Sequence, residues 1–235
     1  QVIHDASFNV RKGEIVGIAG LMGTGRTELA MSLFGRSYGR AHKGRVRLGG
    51  REVDVSTVEK AIAAGVSYVT EDRKALGLIL EEPILKNISL ANLAGIAARG
   101  ILDKRREAKV AEEYRRALSI RTPGVQQKVL NLSGGNQQKV VLSKWLFADP
   151  QVLILDEPTR GIDVGAKYEI YSIMNDLAAQ GRGVVMISSE MPELLGMCDR
   201  IYVMNEGRIV GELSRAEATQ ERIMAMILKT TGRAA

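Results

Sequence analysis

Short apolar segments that recur along the chain, with helical patterns between them, constrain its fold more than any other feature. Four of them are almost continuously apolar, at residues 15–19, 65–70, 152–155 and 184–188. Nearly continuous apolar strands are typical of a parallel sheet whose two faces are both covered by helices. The sequence therefore predicts an α/β fold with a doubly wound parallel sheet as its core.

Helical and hairpin patterns lie between and beside these strands. Helical spacing predicts helices over residues 26–34, 102–120, 137–147 and 166–179, with Asp103 as a cap for the second. Turn residues predict three hairpins, over residues 5–19, 44–55 and 201–210. The parallel core is therefore expected to be combined with antiparallel β-structure near the N-terminus.

The character of the sequence changes between about residues 83 and 128, where strand patterns disappear and helical spacing takes over. We interpret this segment as part of a helical lobe inserted into the α/β core. The length of 235 residues suits one domain of this kind. We expect residues 1–76 and 150–235 to form the core with an antiparallel β subdomain, and residues 77–149, approximately, to form the lobe.

Composition narrows the possible functions. The formal charge of +6 is compatible with a solvated basic face, and also with nucleic acid, a membrane surface or phosphate ligands. Aromatic residues make up only 4% of the chain, which argues against stacking on nucleic-acid bases. The single cysteine, Cys198, excludes an internal disulfide, and one cysteine with two histidines excludes a zinc site. No segment has the roughly 18 apolar residues that cross a bilayer, so a membrane function would need a partner.

A glycine-rich segment joins the first apolar strand to the first predicted helix. Residues 20–27 read Gly-Leu-Met-Gly-Thr-Gly-Arg-Thr and have the spacing of a P-loop. Glycines let the backbone wrap so that several amides point at phosphate oxygens, and the helix dipole adds a favourable field. The predicted nucleotide-binding residues are Gly20, Met22, Gly23, Thr24, Gly25, Arg26, Thr27 and Glu28.

This loop departs from the P-loop pattern at Arg26, where lysine is expected. Lysine reaches the phosphates as a compact charge, whereas the guanidinium group is broad, planar and differently aimed. Because arginine keeps the charge, we expect nucleotide binding to survive and the positioning of the transition state to suffer. Thr27 is placed to ligate Mg²⁺.

Two further motifs follow in order. Residues 132–138 read Leu-Ser-Gly-Gly-Asn-Gln-Gln before an apolar helix that Ser133 can cap, and the two glycines leave backbone amides uncovered at its positive end. Further along, an apolar strand ends in Asp156 and Glu157. We expect Asp156 to hold Mg²⁺, directly or through water, and Glu157 to orient and polarise an attacking water as a general base.

With these three motifs in this order, the chain resembles the ATPase domain of ABC transporters over essentially its whole length. In that family two domains pair head to tail. Each ATP lies between the P-loop and acidic strand of one domain and the signature motif of the other, which corresponds here to residues 132–138. The resemblance implies ATP and Mg²⁺ as cofactors, and a second cassette as partner, either a fused first half or a dimer mate. It assigns Asp163 to the family's D-loop aspartate, and it implies that the signature residues facing the partner's ATP are Ser133, Gly134, Gly135 and Gln137.

Two more positions depart from the family pattern. Glu71 stands where the family has a glutamine that senses Mg²⁺, and Ser189 where it has a switch histidine. Serine is too short to do the work of that imidazole. Together with Arg26, these changes resemble the second half of the fused two-cassette ATPases of ribose-, galactose- and xylose-type importers. The resemblance implies a degenerate own site, with Thr27, Asp156 and Glu71 as metal positions, and an intact signature that serves the partner cassette.

The same resemblance implies a cellular setting. The chain would lie peripherally on the cytoplasmic face of the inner (plasma) membrane, against membrane-spanning permease subunits. A periplasmic sugar-binding protein would be involved only indirectly, and nucleic acid not at all. Residues 71–73 and 83–93 are candidates for the permease contact, with a solvated loop and an ordinary amphipathic segment as the alternative interpretations. Because the chain opens directly on a predicted strand, we expect it to be part of a longer protein, and we expect the isolated domain to hydrolyse ATP weakly or not at all.

Two other functions stay open. One is a non-hydrolysing regulatory module, in which bound ATP holds the structure together without being turned over. The other is a soluble ABC ATPase that acts on ribosomes or DNA. The basic charge favours it, but such relatives carry arginine-rich inserts or a long coiled coil, for which this lobe is too short. The retained Glu157 is compatible with slow hydrolysis in the own site or with a structural role at the dimer seam.

Overall fold

The computed structural model describes residues 2–4, 6–39 and 43–231, with side chains up to residue 228. The chain folds as two compact units. The core unit comprises Gln1–Tyr68, Gln151–Pro158 and Met174–Ala235, and the helical unit comprises Val69–Pro150 and Thr159–Ile173. The division into core and lobe given above stays a prediction.

Ten strands are found in the described part of the chain. They are β1 (Ile15–Ala19), β2 (Val46–Leu48), β3 (Arg51–Val53), β4 (Val66–Val69), β5 (Ala97–Ala98), β6 (Ile101–Leu102), β7 (Val152–Asp156), β8 (Gly183–Ile187), β9 (Arg200–Asn205) and β10 (Arg208–Ser214). Six of them form the central sheet of the core unit, in the order β10-β9-β1-β8-β7-β4. Strand β1 pairs parallel with β8 and β9, β7 pairs parallel with β8, and β10 is antiparallel to β9 at one edge.

Burial along the central strands explains why they are so uniformly apolar. Every residue of β1, β4 and β8 is buried. A strand covered on both faces has no solvent side on which polar residues could alternate. The prediction of an α/β fold with a parallel-sheet core is therefore confirmed.

The described helices agree with the predictions that were made for them. They are α1 (Arg26–Leu33), α2 (Val58–Ala63), α3 (Ile84–Ser89), α4 (Lys104–Ala117), α5 (Gly134–Phe147), α6 (Val164–Ala179), α7 (Met191–Met197) and α8 (Gln220–Thr231). The helices predicted at α1, α4, α5 and α6 are confirmed. Asp103 caps α4 as expected, because its Oδ1 accepts hydrogen bonds from the amides of Arg105 and Arg106.

Two of the three predicted hairpins are confirmed, β2–β3 and β9–β10. Gly49 and Gly50 both have positive φ angles at the β2–β3 turn, as a tight hairpin requires. The N-terminal hairpin is wrong in its first strand, because residues 6–10 form no strand. Asp5, the first residue of that prediction, lies outside the described residues.

Side-chain contacts with β9 account for the alternation that suggested a strand there. The ring of Phe8 meets that of Tyr202 edge to face, with the ring centroids 5.9 Å apart. The Asn9 carbonyl accepts a hydrogen bond of 3.1 Å from Nη2 of Arg200. Side chains of β9 therefore hold this segment at Phe8 and Asn9, without a backbone ladder.

The helical unit is built around α3, α4 and α5, with the first part of α6. Its largest fully buried side chains include Ile84, Ile88 and Leu142. The two-residue strands β5 and β6 pair within this unit, and the sequence analysis missed them because two residues are too few for a periodic pattern. Within the described ranges, we find no helix that combines the length and the apolar character of a membrane span.

Candidate nucleotide site

The glycine-rich loop runs from the end of β1 to the start of α1 and lies close against β9. A Cβ at Gly20 would be 2.5 Å from the carbonyl oxygen of Met204. Gly25 has a φ of +98°, and a Cβ there would be 2.9 Å from Cδ1 of Ile3. Both positions therefore need glycine. Because Gly25 also provides no side-chain cap for α1, the amides of the first turn stay available to an anion.

The other loop residues divide between backbone and side-chain roles. The Thr24 side chain is buried, and its hydroxyl donates to the Leu21 carbonyl at 2.8 Å, which closes the turn. Met22 has an apolar side chain that is 86% exposed and Gly23 has none, so both can offer only their backbone to a phosphate. This arrangement is compatible with the phosphate-binding roles predicted for the loop, and those roles stay predictions.

Arg26 is turned into the protein. It is buried, its Nη1 donates to the Ser188 carbonyl at 2.7 Å, and its Nη2 lies 3.7 Å from Oε1 of Glu157. Burial lowers the pKa of Arg26, and the nearby carboxylate of Glu157 partly offsets that shift. The cation that a P-loop directs at phosphate is thus engaged with a backbone carbonyl and a carboxylate of its own chain.

Glu157 occupies a strained and well-anchored position directly after β7. Its φ is 47°, a left-handed conformation that costs a non-glycine residue about 1 kcal/mol or more. Its amide donates to the Ile187 carbonyl at 2.8 Å. Its carboxylate faces Arg26 and accepts a hydrogen bond of 3.1 Å from the Ser189 hydroxyl. The structure therefore brings together the three residues that were predicted separately as P-loop cation, general base and switch position.

Asp156 has the surroundings of a cation ligand. Its Oδ2 accepts a 2.9 Å hydrogen bond from the Tyr68 hydroxyl, and the Thr27 and Tyr68 side chains both act to lower the pKa of the carboxyl group. Its Oδ1 is buried and has no hydrogen-bond partner among the described residues. Burial raises the pKa of Asp156, which a bound cation would counteract. Thr27 and Asp156 therefore fit the metal role predicted for them, and Tyr68 is a member of this site that the sequence analysis missed.

Mg²⁺ needs few protein ligands, since it keeps several waters and takes the rest from phosphate. In the part of the chain that the structure describes, no three carboxylate, histidine or cysteine side chains converge on one point, which is compatible with a site of this sparse kind. Glu71, the third predicted metal position, belongs to the helical unit and forms an ion pair there with Arg160. Its metal role stays a prediction, with its carboxylate engaged in that pair.

The signature segment begins α5 in the helical unit. The Ser133 hydroxyl accepts hydrogen bonds from the backbone amide of Asn136 at 3.4 Å and from its Nδ2 at 3.0 Å, so Ser133 caps α5 as predicted. A Cβ at Gly135 would lie 2.6 Å from Cβ of Ala166, at the start of α6. A Cβ at Gly134 would lie 2.9 Å from Nη2 of Arg73. The packing therefore requires glycine at position 135, and it favours glycine at position 134, where a Cβ would also lie 3.1 Å from the Gly161 carbonyl oxygen.

Two other predicted residues of this region have clear structural roles. Asp163 caps α6, because its Oδ1 accepts a 2.9 Å hydrogen bond from the Ala166 amide. Gln137 is buried, and its Nε2 donates to the Val129 carbonyl at 3.3 Å. A polar recess opens beside the signature, and its lining includes Arg121, Ser133, Asn136, Asp163 and Glu169.

Comparison with known proteins places this geometry in a family. The ABC transporter family model matches residues 3–160. The L-arabinose transport ATP-binding protein AraG of Geobacillus stearothermophilus is 62% identical over 98% of this chain and 45% of its own length. The xylose import ATP-binding protein XylG of Geobacillus kaustophilus is 57% identical over 95% of this chain and 44% of its own length. The chain thus spans about half the length of the curated relatives it matches.

Solved structures support the same assignment at the level of the fold. A dimeric ATP-binding cassette in a post-hydrolysis state, bound to ADP and Pi, superposes with a TM-score of 0.76 at 22% identity. The match covers 91% of this chain and 90% of that one. The resemblance derived from the phosphate loop, the signature and the acidic strand is therefore confirmed, and the chain belongs to the ABC transporter family.

Proposed function

We propose that this chain is the second ATP-binding cassette of a two-cassette ATPase that drives the uptake of a sugar. Its relatives are named for the transport of arabinose and xylose, and the chain corresponds to less than half of each. In this proposal, ATP binding closes the pair of cassettes, hydrolysis reopens it, and a membrane-spanning partner converts that motion into transport. The chain would lie peripherally on the cytoplasmic face of that membrane.

The observation that carries the proposal is the position of Arg26. Phosphoryl transfer is catalysed mainly by positioning and by charge stabilisation, so a cation held elsewhere contributes little to it. Here Arg26 is bound to the Ser188 carbonyl and to Glu157. The same contact occupies the carboxylate that would polarise the attacking water. We therefore infer that the own site binds ATP and hydrolyses it slowly or not at all.

Glu157 has a structural reason to be present even without a catalytic task. A buried guanidinium needs a counterion, because an unpaired buried charge is costly. The side chains of Arg26 and Glu157 are only 8% and 11% exposed, so each limits the desolvation cost of the other. This favours the structural explanation for the retained glutamate over the catalytic one.

ATP and Mg²⁺ are expected at both sites of the cassette pair. At the own site, Thr27 and Asp156 would hold the metal, whose charge would neutralise the phosphate oxygens. The loop amides between Gly20 and Thr27 would hold the phosphates. At the partner's site, this chain would contribute the bare amides and the positive helix end at Ser133–Gly135, which stabilise negative charge without any acid–base group.

A pair of substitutions at Ser133 tests the signature role. Aspartate and asparagine both replace serine well as helix caps, so α5 should keep its stability in either variant. Only aspartate directs a negative charge at the partner's phosphate. In the full-length protein with its membrane-spanning partner, we expect Ser133→Asp to lower ATP turnover at least about tenfold, and Ser133→Asn to retain most of it.

Thermal unfolding of both variants provides the control, and we expect similar midpoints. Equal turnover by Ser133→Asp and Ser133→Asn at saturating ATP would mean that no phosphate approaches this loop, and the proposal would be wrong. The regulatory-module alternative applies to the own site alone, and the Arg26–Glu157 contact favours it there. The ATP turnover of a Glu157→Gln variant distinguishes this alternative from slow hydrolysis at the own site.

A further inference from the structure

Two segments of the helical unit meet at Gly134 of the signature loop. The first is residues 71–73, which follow β4, and the second is residues 160–161, which follow β7. Nη1 of Arg73 donates to the Arg160 carbonyl at 2.9 Å, and its Nη2 donates to the Gly161 carbonyl at 3.4 Å. Glu71 and Arg160 form an ion pair alongside. We call the group formed by Glu71, Arg73, Arg160 and Gly161 the brace.

The brace is in direct contact with the signature. A Cβ at Gly134 would lie 2.9 Å from Nη2 of Arg73 and 3.1 Å from the Gly161 carbonyl oxygen. The Arg73 guanidinium group and the Gly161 carbonyl group therefore pack directly against Gly134. The Nε of Arg73 is buried and has no hydrogen-bond partner among the described residues, which is an energetic cost. An arginine in a solvated loop would avoid that cost by turning its Nε toward water.

We propose that Arg73 is a positioning residue, which fixes the position and orientation of the signature loop. The Glu71–Arg160 ion pair holds Arg73 in place. This inference rests on the proposed function, in which that loop acts on a nucleotide held by the partner cassette. The fixed fork of a guanidinium donates to two successive carbonyls while its Nη2 lies against Gly134, whereas a lysine ammonium is a single compact charge on a flexible stem and lacks that fixed geometry. The inference gives Glu71 a definite task, as an anchor of the brace.

The first test replaces Arg73 by lysine in the full-length protein with its membrane-spanning partner. A displaced loop leaves ATP bound by the partner's own phosphate loop, while its terminal phosphate loses a stabilising contact. We therefore expect Arg73→Lys to lower kcat at least about tenfold with little change in KM for ATP. Lys74→Met is the matched control, because Lys74 is an exposed neighbour, and it should behave like the unsubstituted protein.

A charge reversal tests the ion pair separately. Glu71→Arg and Arg160→Glu should each reduce kcat, and the protein that carries both substitutions should recover much of the loss. A residue that only stabilised the fold would change the unfolding midpoint and the active fraction, and kcat per folded molecule would remain constant. If kcat per folded molecule is unchanged in Arg73→Lys, or if the charge reversal rescues nothing, the positioning role is overturned.

Combination with Ser133→Asp separates this inference from the proposed function. If the brace acts through the signature, Arg73→Lys should add little to the loss that Ser133→Asp already causes. Loss of turnover in Ser133→Asp together with normal turnover in Arg73→Lys would overturn the brace alone. Normal turnover in Ser133→Asp would overturn the proposed function and the brace together.

Discussion

Two helix N-termini in this chain have the form of anion sites, and they are built differently. Helix α1 begins after Gly25, which has a positive φ and no side chain to cap the helix. Helix α5 begins after Ser133, whose hydroxyl caps it. In the proposed function, the amides at α1 depend on an adjacent cation to fix a phosphate, whereas those at α5 act through the backbone and the helix dipole alone.

An arginine lies beside each of the two helix starts, and the two arginines have different contacts. Next to α1, Arg26 is bound to a carbonyl and a carboxylate of its own chain. Beside α5, Arg73 is bound to two carbonyls and braces a signature glycine. In the proposed function, the first arrangement withdraws a charge from the place where catalysis would use it, and the second supports a loop that needs no charge. That proposal predicts a cassette that has lost its own chemistry and still serves a partner's.

The largest expected difference between the two regions is in ATP turnover. In the full-length protein we expect Gly135→Asp to reduce turnover by at least about a hundredfold, because it adds a negative charge beside the partner's phosphate and displaces the preorganised amides of the loop. We expect Glu157→Gln to leave a substantial fraction, because the partner's site remains intact. Steady-state ATPase assays on both variants measure this difference.

A control is needed because a side chain at Gly135 would collide with Ala166. Ser133→Asp, which keeps the helix cap, should show a loss in the same direction. Complete loss of turnover in Glu157→Gln would contradict the comparison, since it would make the own site essential. Identical turnover in Glu157→Gln and the unsubstituted protein would favour the non-hydrolysing form of the own site over slow hydrolysis.

The second expected difference is in stability, and it concerns the core unit. Removing one member of a buried ion pair leaves the other charge unpaired, so Glu157→Gln should lower the free energy of unfolding by about 3 kcal/mol. Substituting Arg26 by methionine in the same protein removes the unpaired charge and should restore part of that loss. Chemical denaturation of the isolated chain gives both numbers. If the two substitutions are simply additive, the 3.7 Å contact is not a functioning ion pair.

Local patterns in the sequence were sufficient for much of the fold and of both helix starts. The caps at Asp103 and Ser133 and the apolar strands all follow from residues close together in the chain. The partners of Arg26 do not, because Glu157 and Ser188 come from the ends of two other strands. Neither the left-handed φ of Glu157 nor the Tyr68 hydrogen bond to Asp156 has a sequence signal. Long-range contacts of single side chains and strained backbone angles leave no periodic pattern.

The smallest expected difference is in how the free energy of unfolding depends on pH. It compares two buried cations, Arg26 and Lys144. Arg26 remains protonated throughout the practical pH range, because a guanidinium starts from a very high pKa. Lys144 of α5 is also buried; its amine donates to the Gly77 carbonyl at 2.6 Å and lies 4.7 Å from the centroid of the Trp145 ring. Burial lowers the pKa of Lys144 to about 8.

The sign of the effect follows from proton binding in the two states. Between pH 8 and 10.5 the unfolded chain keeps the Lys144 proton more often than the folded one, so stability should rise with pH across that window, by at most about 3 kcal/mol. Below pH 8 both states are protonated and the contribution is constant. Other groups also titrate at alkaline pH, so the quantity to measure is the difference in unfolding free energy between the unsubstituted chain and Lys144→Met. That difference should shift in favour of lysine as pH rises, whereas a constant or opposite trend would mean that the Gly77 carbonyl and the indole ring compensate the ammonium group for its burial.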